Sequence, residues 1–484
     1  MVFSSGLFLF LFLPIFLGVY FAAPERWRSL VILLGSWAFY GWWRWDFLLL
    51  FAGIKLWVYL ASLGTERAQA RGDAKAATRA TAIGVVGALA SLGWFKYAGF
   101  GVENLNLLLA GLGLQPLVMA PIILPIGISF YVFQAVSYAI DVHRGDAKPA
   151  RSFLDFAAFI ALFPQLVAGP VLRYKDVADQ FEHRTIGRHD LAIGATRFMG
   201  GFCKKVLVAD AVAPLANAVF DLPGLGTPGG PPIGAADAAL AIVAYTVQLY
   251  FDFSGYSDMA IGLGRMMGFH FLENFDHPYI SKNITEFWRR WHISLSSWLR
   301  DYLYIPLGGN RLGRARTYLN LWLTMVLGGM WHGASWNFVL WGVWHGTLLG
   351  VERRLGEARG GKAPSWGALP TLGLVMVGWV LFRAKDLPSA AAVLGALGGP
   401  ALGAASWGFS PLIAWQLKGW SLTVLALSIP LIFGGAAWRR AWAHAQAPER
   451  LRLERWQLAF IPAFVLAVLR LSAQSYTPFL YFQF

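Results

Sequence analysis

Apolar blocks and short polar loops alternate along the whole chain, and the blocks have the roughly 15 to 25 residues that a helix needs to cross a hydrocarbon core. This pattern predicts an all-α, polytopic membrane protein. The crossings are predicted at 2–21, 30–43, 47–63, 81–99, 120–140, 191–220, 238–253, in a hairpin over 318–351, and at 369–382, 420–438 and 456–471.

Basic residues in the loops predict the orientation of these crossings, because cytoplasmic loops are enriched in Lys and Arg. Arg26 and Arg28 follow the first block, which places the N-terminus outside and this loop inside. The basic loops 67–79, 144–151 and 439–455 then also fall inside. The uncharged loop 222–234, rich in Pro and Gly, falls outside. Charge and hydropathy together predict about twelve crossings.

Two apolar stretches are not counted as crossings. Residues 105–117 cannot be a full crossing, because the basic loops on either side already fall inside. Residues 153–171 are broken by Pro164, Gly169 and Pro170, which is typical of a re-entrant or broken helix that is surrounded by protein.

Composition agrees with a membrane protein and excludes other classes. Hydrophobic residues make up 57% of the chain and charged residues only 14%, well below the quarter or so of soluble proteins. The net charge of +14 comes mostly from short loops, which indicates membrane orientation and not nucleic-acid binding. The single Cys203 excludes an intrachain disulfide and a cysteine-built metal site, and we expect neither a metal nor a permanently bound cofactor. Without repeats or long linkers, residues 1–484 are predicted to form one domain.

The first candidate site is the motif LGGMWHGA at 327–334, where His332 stands among glycines in an apolar hairpin. Polar groups are costly in hydrocarbon, so they usually face a protein interior or a cavity and mark function. An imidazole titrates near neutral pH and can accept and return a proton, as a general base in acyl transfer must. A histidine satisfied by a backbone carbonyl in a packing contact explains the motif equally well.

A second Trp-His-Gly motif begins at Trp344, thirteen residues after the first. On a continuous helix the two histidines would point about 140° apart and could not meet at one atom. His345 lies in the longer uninterrupted helical run, so it is interpreted as structural or interfacial.

The second candidate site is FWRRWHISLSSWLR at 287–300, in a stretch with seven basic residues between 282 and 316 and no crossing. A helical projection predicts one amphipathic helix with His292 at the edge of its aromatic stripe and Arg289 and Arg290 on the other face. The arginines could attract anionic lipid or the phosphates of a cytosolic cofactor. His292 is either a second active-site group or a packed residue, and spacing does not decide between them.

Asp252 and Asp258 form the third candidate site, predicted at or near the end of a crossing. Six residues correspond to about 240° on a helix, so the two carboxylates point apart and structural pairing with buried Arg or backbone donors is favoured over acid–base catalysis. Cys203 is disfavoured as an acyl carrier, because Lys204 and Lys205 follow it and no histidine is near in sequence.

The motifs resemble those of membrane-bound O-acyltransferases over nearly the whole chain. The resemblance is carried by LPIGISF at 124–130, YFDFSGYSDMAIG at 250–262, TEFWRRWHISL at 285–295, DYLYIPLGGNR at 301–311 and GMWHG at 329–333. It implies that His332 is the family's catalytic histidine and that His292 stands where the family carries its second polar residue. With a histidine at this second position, the chain resembles the polysaccharide-modifying branch of the family. Trp331, Arg289 and Arg290 become candidates for lining the substrate path.

The resemblance also implies an architecture and a reaction. About 10 to 12 tilted transmembrane helices would form a ring around a central funnel, with re-entrant and interfacial helices, so that donor and acceptor reach His332 from opposite faces. Acetyl-CoA would be the cytosolic donor. His332 would deprotonate the acceptor hydroxyl and protonate the departing thiolate.

The expected function is O-acetylation of an exported polysaccharide, with alginate as the expected polymer, at the bacterial inner membrane. Expected partners are the lipid bilayer, the anionic polysaccharide and periplasmic acetyltransferase or export-complex proteins. Cellulose, another exopolysaccharide or D-alanylation of teichoic acid are alternatives within the same chemistry. A transporter or flippase for a lipid-linked sugar is the alternative from another class, motivated by the broken helices and Asp252.

Overall fold

A computed structural model describes residues 1–167, 169–361, 364–434 and 460–473. Within these ranges all regular elements are helices, which confirms the predicted all-α class. Three of them, Phe47–Ala70, Ala74–Gly111 and Ala235–Met266, are long and apolar enough to cross a membrane, and shorter apolar helices accompany them. The count of about twelve crossings and the central funnel stay predictions.

Contacts divide the chain into two compact units, Met1–Ala195 with Met259–Leu272 and Thr196–Asp258 with Glu273–Phe484. That residues 1–484 form one domain stays a prediction. The helices of the first unit are α1 (Leu13–Ala22, after a π-helical turn at Phe8–Phe12), α2 (Glu25–Gly41), α3 (Phe47–Ala70), α4 (Ala74–Gly111), α5 (Ile128–Arg144), α6 (Phe153–Ala161), α7 (Phe163–Leu166) and α8 (Tyr174–Glu182). Helix α5 is buried along almost its whole length and packs against α3, α4, α6 and α8.

The predicted break in 153–171 is present between α6 and α7. Leu162 leaves the helical region at φ −47° and ψ 103°, and Pro164 follows at the second position of α7, where a missing N–H costs nothing. The freed backbone groups find side chains, since Phe163 N donates to Ser36 Oγ at 3.1 Å and Gln165 Nε2 donates to Phe159 O at 2.7 Å. The break is therefore buried and hydrogen-bonded within protein, as broken backbone at membrane depth requires.

The second unit contains most of the remaining helices, which are α9 (Arg188–Cys203, beginning in the first unit), α10 (Asp210–Phe220), α11 (Ala235–Met266, ending in the first unit), α12 (Ile284–Arg290), α13 (Ile293–Leu299), α14 (Arg314–His332), α15 (Trp336–Ala358), α16 (Ala368–Arg383), α17 (Leu387–Ala396), α18 (Pro411–Ala414), α19 (Gly419–Phe433) and α20 (Phe460–Ala473). Helices α14 and α15 form the predicted hairpin. Helices α12 and α16 pack against α15.

The helices predicted from residue 120 and across 287–300 differ from the structure. The helix predicted from residue 120 begins only at Ile128, after Gly127 at φ 75°, because the preceding Pro-containing stretch cannot continue a helix. The single amphipathic helix predicted across 287–300 is wrong. It is divided into α12 and α13 by extended Trp291 and left-handed His292. The predicted basic loop 439–455 and parts of the last two predicted crossings lie outside the described residues.

Asp252 and Asp258 lie inside α11, which continues to Met266, and not at the end of a crossing as predicted. Both are engaged in ion pairs. Asp258 accepts from Arg197 at 2.9 Å and from Lys204 at 2.6 Å. Asp252 lies 2.8 Å from the Nζ of Lys205. The interpretation of the two carboxylates as members of structural pairs is confirmed, with a lysine as the partner of Asp252. Lys204 and Lys205, which follow Cys203, both bind carboxylates.

Candidate active site

His332 is the last residue of α14, and its position follows from the glycine after it. Gly333 is extended at φ −162° and ψ 155°, so the helix ends there and the chain turns into α15 at Trp336. A Cβ at Gly333 would lie 2.0 Å from the ring of Phe338, so a larger residue does not fit this turn. The partial negative charge at a helix C-terminus stabilises the positive charge that an imidazole acquires when it takes a proton.

Three aromatic rings from α15 and α16 surround the imidazole of His332. Trp341 lies edge-on with ring centroids 5.2 Å apart, Phe382 lies edge-on at 5.0 Å, and Phe338 lies roughly parallel at 6.5 Å. Its neighbour Trp331 contacts it at 4.9 Å. The ring is therefore held by apolar walls on several sides, which restricts its orientation and limits its access to water.

His292, His332 and His345 differ in the exposed fraction of their surface. His332 retains 8% of its accessible surface, whereas His292 retains 1% and His345 none. All three imidazoles are buried, and His332 retains the largest exposed fraction.

His292 lies at the break between α12 and α13 and has φ 44° and ψ 53°. A left-handed backbone at a residue with a Cβ is uncommon and persists only where the surroundings hold it. The Nδ1 atom of His292 lies 3.2 Å from Oδ1 of Asn274, and the next amide, Ile293 N, donates to Asn274 O at 2.9 Å. Asn274 thus holds both the ring and the backbone of the break.

Burial among aromatic rings lowers the pKa of His292 to about 3. The imidazole is therefore neutral at physiological pH. Its ring contacts Phe253 at 4.7 Å and Trp331 at 6.2 Å between centroids. Trp331, which is itself buried, contacts both His292 and His332, so the structure brings these three predicted residues together.

Arg289 and Arg290 are separated by the structure. Arg290 donates to Asp276 at 3.0 Å and to Glu286 at 3.0 Å, which favours a structural role for this guanidinium. Arg289 is exposed on the surface of α12 and is the one of the pair that an anionic group can approach.

Comparison with known proteins places the chain. A model of the membrane-bound O-acyltransferase family matches residues 148–359. The chain is 50% identical to a protein of Pseudomonas putida named "Probable alginate O-acetylase AlgI", over the full length of both, and equally identical to its namesake in Azotobacter vinelandii. It is 34% identical to the "Peptidoglycan O-acetyltransferase" of Helicobacter pylori, over 81% of this chain and 79% of the relative. The chain belongs to the membrane-bound O-acyltransferase family.

Family membership confirms three predictions at the level of class. The chain is a membrane protein, it is an O-acyltransferase, and its reaction uses an acyl donor. Asn274, Arg289, Arg290, His292, Trp331 and His332 all lie within the matched range. Their individual roles stay predictions.

The helical projection did not describe the relation between His332 and His345 correctly. The projection assumed one continuous helix, whereas the turn at Gly333 puts His332 and His345 on different helices, and both contact Trp341, at 5.2 Å and 4.9 Å. His345 is fully buried, which excludes the interfacial interpretation. Its ring contacts Trp288, Trp341 and Phe287, which agrees with a structural role.

Sequence reasoning missed Asn274, Trp341 and Phe382. Asn274 stands in LENFDHP at 272–278, a polar stretch between α11 and α12 that carries no motif a single sequence makes visible. Trp341 and Phe382 appeared as ordinary members of apolar crossings. Only the packing of α14, α15 and α16 places these two rings against His332.

Proposed function

We propose that this O-acyltransferase is a multi-pass protein of the bacterial inner membrane that transfers acetyl groups from cytosolic acetyl-CoA toward an exported polysaccharide, alginate. The names of the full-length relatives support the acceptor and the acyl group. The observation that supports the mechanism is the placement of His332 at a helix end, among aromatic rings and with 8% of its surface exposed.

In the proposed reaction, Nε2 or Nδ1 of His332 removes the proton from the acceptor hydroxyl as its oxygen attacks the acetyl carbonyl. The C–S bond of the thioester then breaks, and the imidazolium returns the proton to the departing thiolate. A positioned base of this kind contributes on the order of 10²- to 10⁴-fold in rate. The aromatic walls around the ring exclude water, which would otherwise compete as the acceptor.

The immediate acceptor is proposed to be either the sugar hydroxyl or a hydroxyl of a periplasmic acetyltransferase in the export complex. His292 is proposed as a second polar group of the same site, and exposed Arg289 as a contact for phosphate groups. Asp252, which motivated the transporter hypothesis, is accounted for by its ion pair with Lys205.

The test replaces His332 with alanine and follows label from radioactive acetyl-CoA in purified, reconstituted protein, together with acetyl esters on the polymer in a deletion strain. We expect His332→Ala to insert and fold normally and to lose transfer by at least about 10²-fold. His345→Gln is the matched control, because it removes an imidazole from the same Trp341 ring, and it is expected to retain transfer. Wild-type acetylation by folded His332→Ala protein would exclude the proposed mechanism.

The peptidoglycan relative supports a second acceptor class for the same chemistry. Complementation of a deletion strain separates the two acceptors, since alginate and peptidoglycan can be isolated from the same cells and their acetyl esters measured independently. Acetyl esters that return on peptidoglycan and not on alginate would replace the proposed acceptor.

A further inference from the structure

The segment before α12, which contains Asn274 and Asp276, forms backbone hydrogen bonds on both sides of the break at His292. Asp276 N donates to Arg290 O at 2.9 Å, and Asn274 O accepts from Ile293 N at 2.9 Å, so the segment pairs with both ends of the break. Asn274 is 1% exposed and sends its side chain toward His292. Asn274 is therefore placed to determine which ring nitrogen of His292 carries the proton.

The orientation of the Asn274 amide follows from its donors. Ser294 N lies 3.3 Å from Oδ1 and can only donate, and Ser294 Oγ lies 2.8 Å from the same atom. If the amide nitrogen of Asn274 stood in that place, it would face the N–H of Ser294, and two donors cannot form a hydrogen bond with each other. On the other side, Nδ2 donates to Ser257 Oγ at 3.0 Å. The atom that faces His292 is therefore the carbonyl oxygen, an acceptor.

The acceptor fixes the tautomer of His292. A neutral imidazole carries one proton, and the nitrogen opposite a carbonyl oxygen is the one that bears it. The proton thus resides on Nδ1, and Nε2 carries the lone pair. Among the described residues, Nε2 of His292 has no hydrogen-bond partner, although the atom is buried. A buried nitrogen lone pair of this kind is costly unless something donates to it.

We propose that Asn274 is a positioning residue of this enzyme, which holds His292 in the Nδ1–H tautomer so that Nε2 accepts a hydrogen bond from the hydroxyl group taking part in acyl transfer. The inference rests on the proposed function, in which His292 belongs to the same site as His332. Asn274 itself contacts no substrate and acts through the ring that it holds.

No charged side chain competes for this role in the described surroundings of the ring. The imidazole contacts Asn274 and the aromatic rings of Phe253, Phe275 and Trp331. The two acidic neighbours of Asn274 in sequence face arginines, since Glu273 pairs with Arg197 and Asp276 with Arg290.

A double-mutant cycle tests the proposal. Asn274→Leu removes the acceptor and keeps the same branched arrangement of side-chain heavy atoms, and we expect it to slow transfer by about 10²-fold, the lower end of what a positioned base contributes. In the His292→Ala background the same change is expected to have almost no further effect, because residues that act as a unit are not additive. An equal loss in both backgrounds would mean that Asn274 acts independently of His292 and would overturn the proposal.

Two further variants separate positioning from general damage to the fold. Asn274→Asp keeps an oxygen acceptor and is expected to be at least about tenfold faster than Asn274→Leu. Ser257→Ala is the matched control, because it removes the other hydrogen bond of the same amide and leaves Oδ1 in place, so a loss of about tenfold or less is expected. Asn274→Asp no faster than Asn274→Leu, or Ser257→Ala as slow as Asn274→Leu, would contradict the tautomer argument.

The proposed function and the inference about Asn274 are tested by different variants. Full activity of His332→Ala would remove the proposed mechanism without regard to Asn274. Loss of activity in His332→Ala and His292→Ala, with no coupling between Asn274 and His292, would remove only the inference about Asn274.

Discussion

Helices α14 and α15 approach each other at glycines, and one added methyl group at this contact is expected to disable transfer. A Cβ at Gly329 would lie 2.2 Å from the carbonyl oxygen of Phe338 and 3.2 Å from Gly342 N. Both are backbone atoms, so no side-chain rotation relieves the contact. Gly329 lies one turn before His332, at the end of the helix that carries the predicted base.

The size of the effect follows from this distance. Non-bonded carbon and oxygen atoms rarely approach closer than about 3.3 Å, so α14 and α15 must separate by on the order of 1 Å at Gly329. A displacement of about 1 Å between reacting groups costs about 10²-fold in rate. The overpacked contact itself is expected to lower the free energy of unfolding by about 1 to 3 kcal/mol.

Gly350→Ala is the matched control on α15. A Cβ there would meet the ring of Tyr318 at 3.5 Å, an ordinary contact. Both substitutions reduce the conformational entropy of the unfolded chain in the same way, so their difference reports the close approach alone. Transfer from labelled acetyl-CoA and thermal unfolding are measured for both variants. Equal transfer rates in Gly329→Ala and Gly350→Ala would refute the claim that the spacing of these helices positions His332.

Three further substitutions test the buried polar contacts by thermal unfolding in detergent. Lys205→Met is expected to destabilise by about 3 to 5 kcal/mol, because it leaves Asp210 and Asp252 buried without their cation. An unchanged melting temperature would show that these carboxylates are neutral or hydrated. Glu352→Gln is expected to cost about 1 to 3 kcal/mol, because the Glu352 carboxylate accepts two backbone N–H groups at the start of α12. Arg197→Lys should cost a similar amount, about 1 to 3 kcal/mol, since an ammonium cannot reproduce the fork that binds two carboxylates, and unaltered stability would contradict this.

The elements of the fold were predictable where one physical signal was strong. Long apolar runs predicted α3, α11 and the α14–α15 hairpin, because burial of apolar side chains and internal backbone hydrogen bonding act along the whole segment. The prolines and glycine of 153–171 predicted a broken helix for the same local reason. Helix ends were less predictable than the helices themselves, as the observed ends at Ile128 and Met266 show.

The helix predicted across His292 failed for a tertiary reason. Its apolar periodicity is genuine, and each half is helical, but the backbone of the break pairs with Asn274 and Asp276 of a preceding segment. These hydrogen bonds replace the helical ones that Arg290 O would accept and Ile293 N would donate in a continuous helix. A helical projection contains no information about such competition, so it placed His292 at the edge of a stripe when it is the N-cap of α13.

The sequence alone determined that this chain is a helical membrane protein, and its motifs indicated an acyltransferase with His332 as the leading candidate base, because hydropathy and motif identity are properties of the residues themselves. The tertiary structure decided which side chains surround that histidine, which carboxylates and cations pair, and how Asn274 orients His292. Those relations depend on distances between segments far apart in sequence, such as those of Arg197 and Glu273, which are 76 positions apart. Only the packing of helices against one another sets such distances.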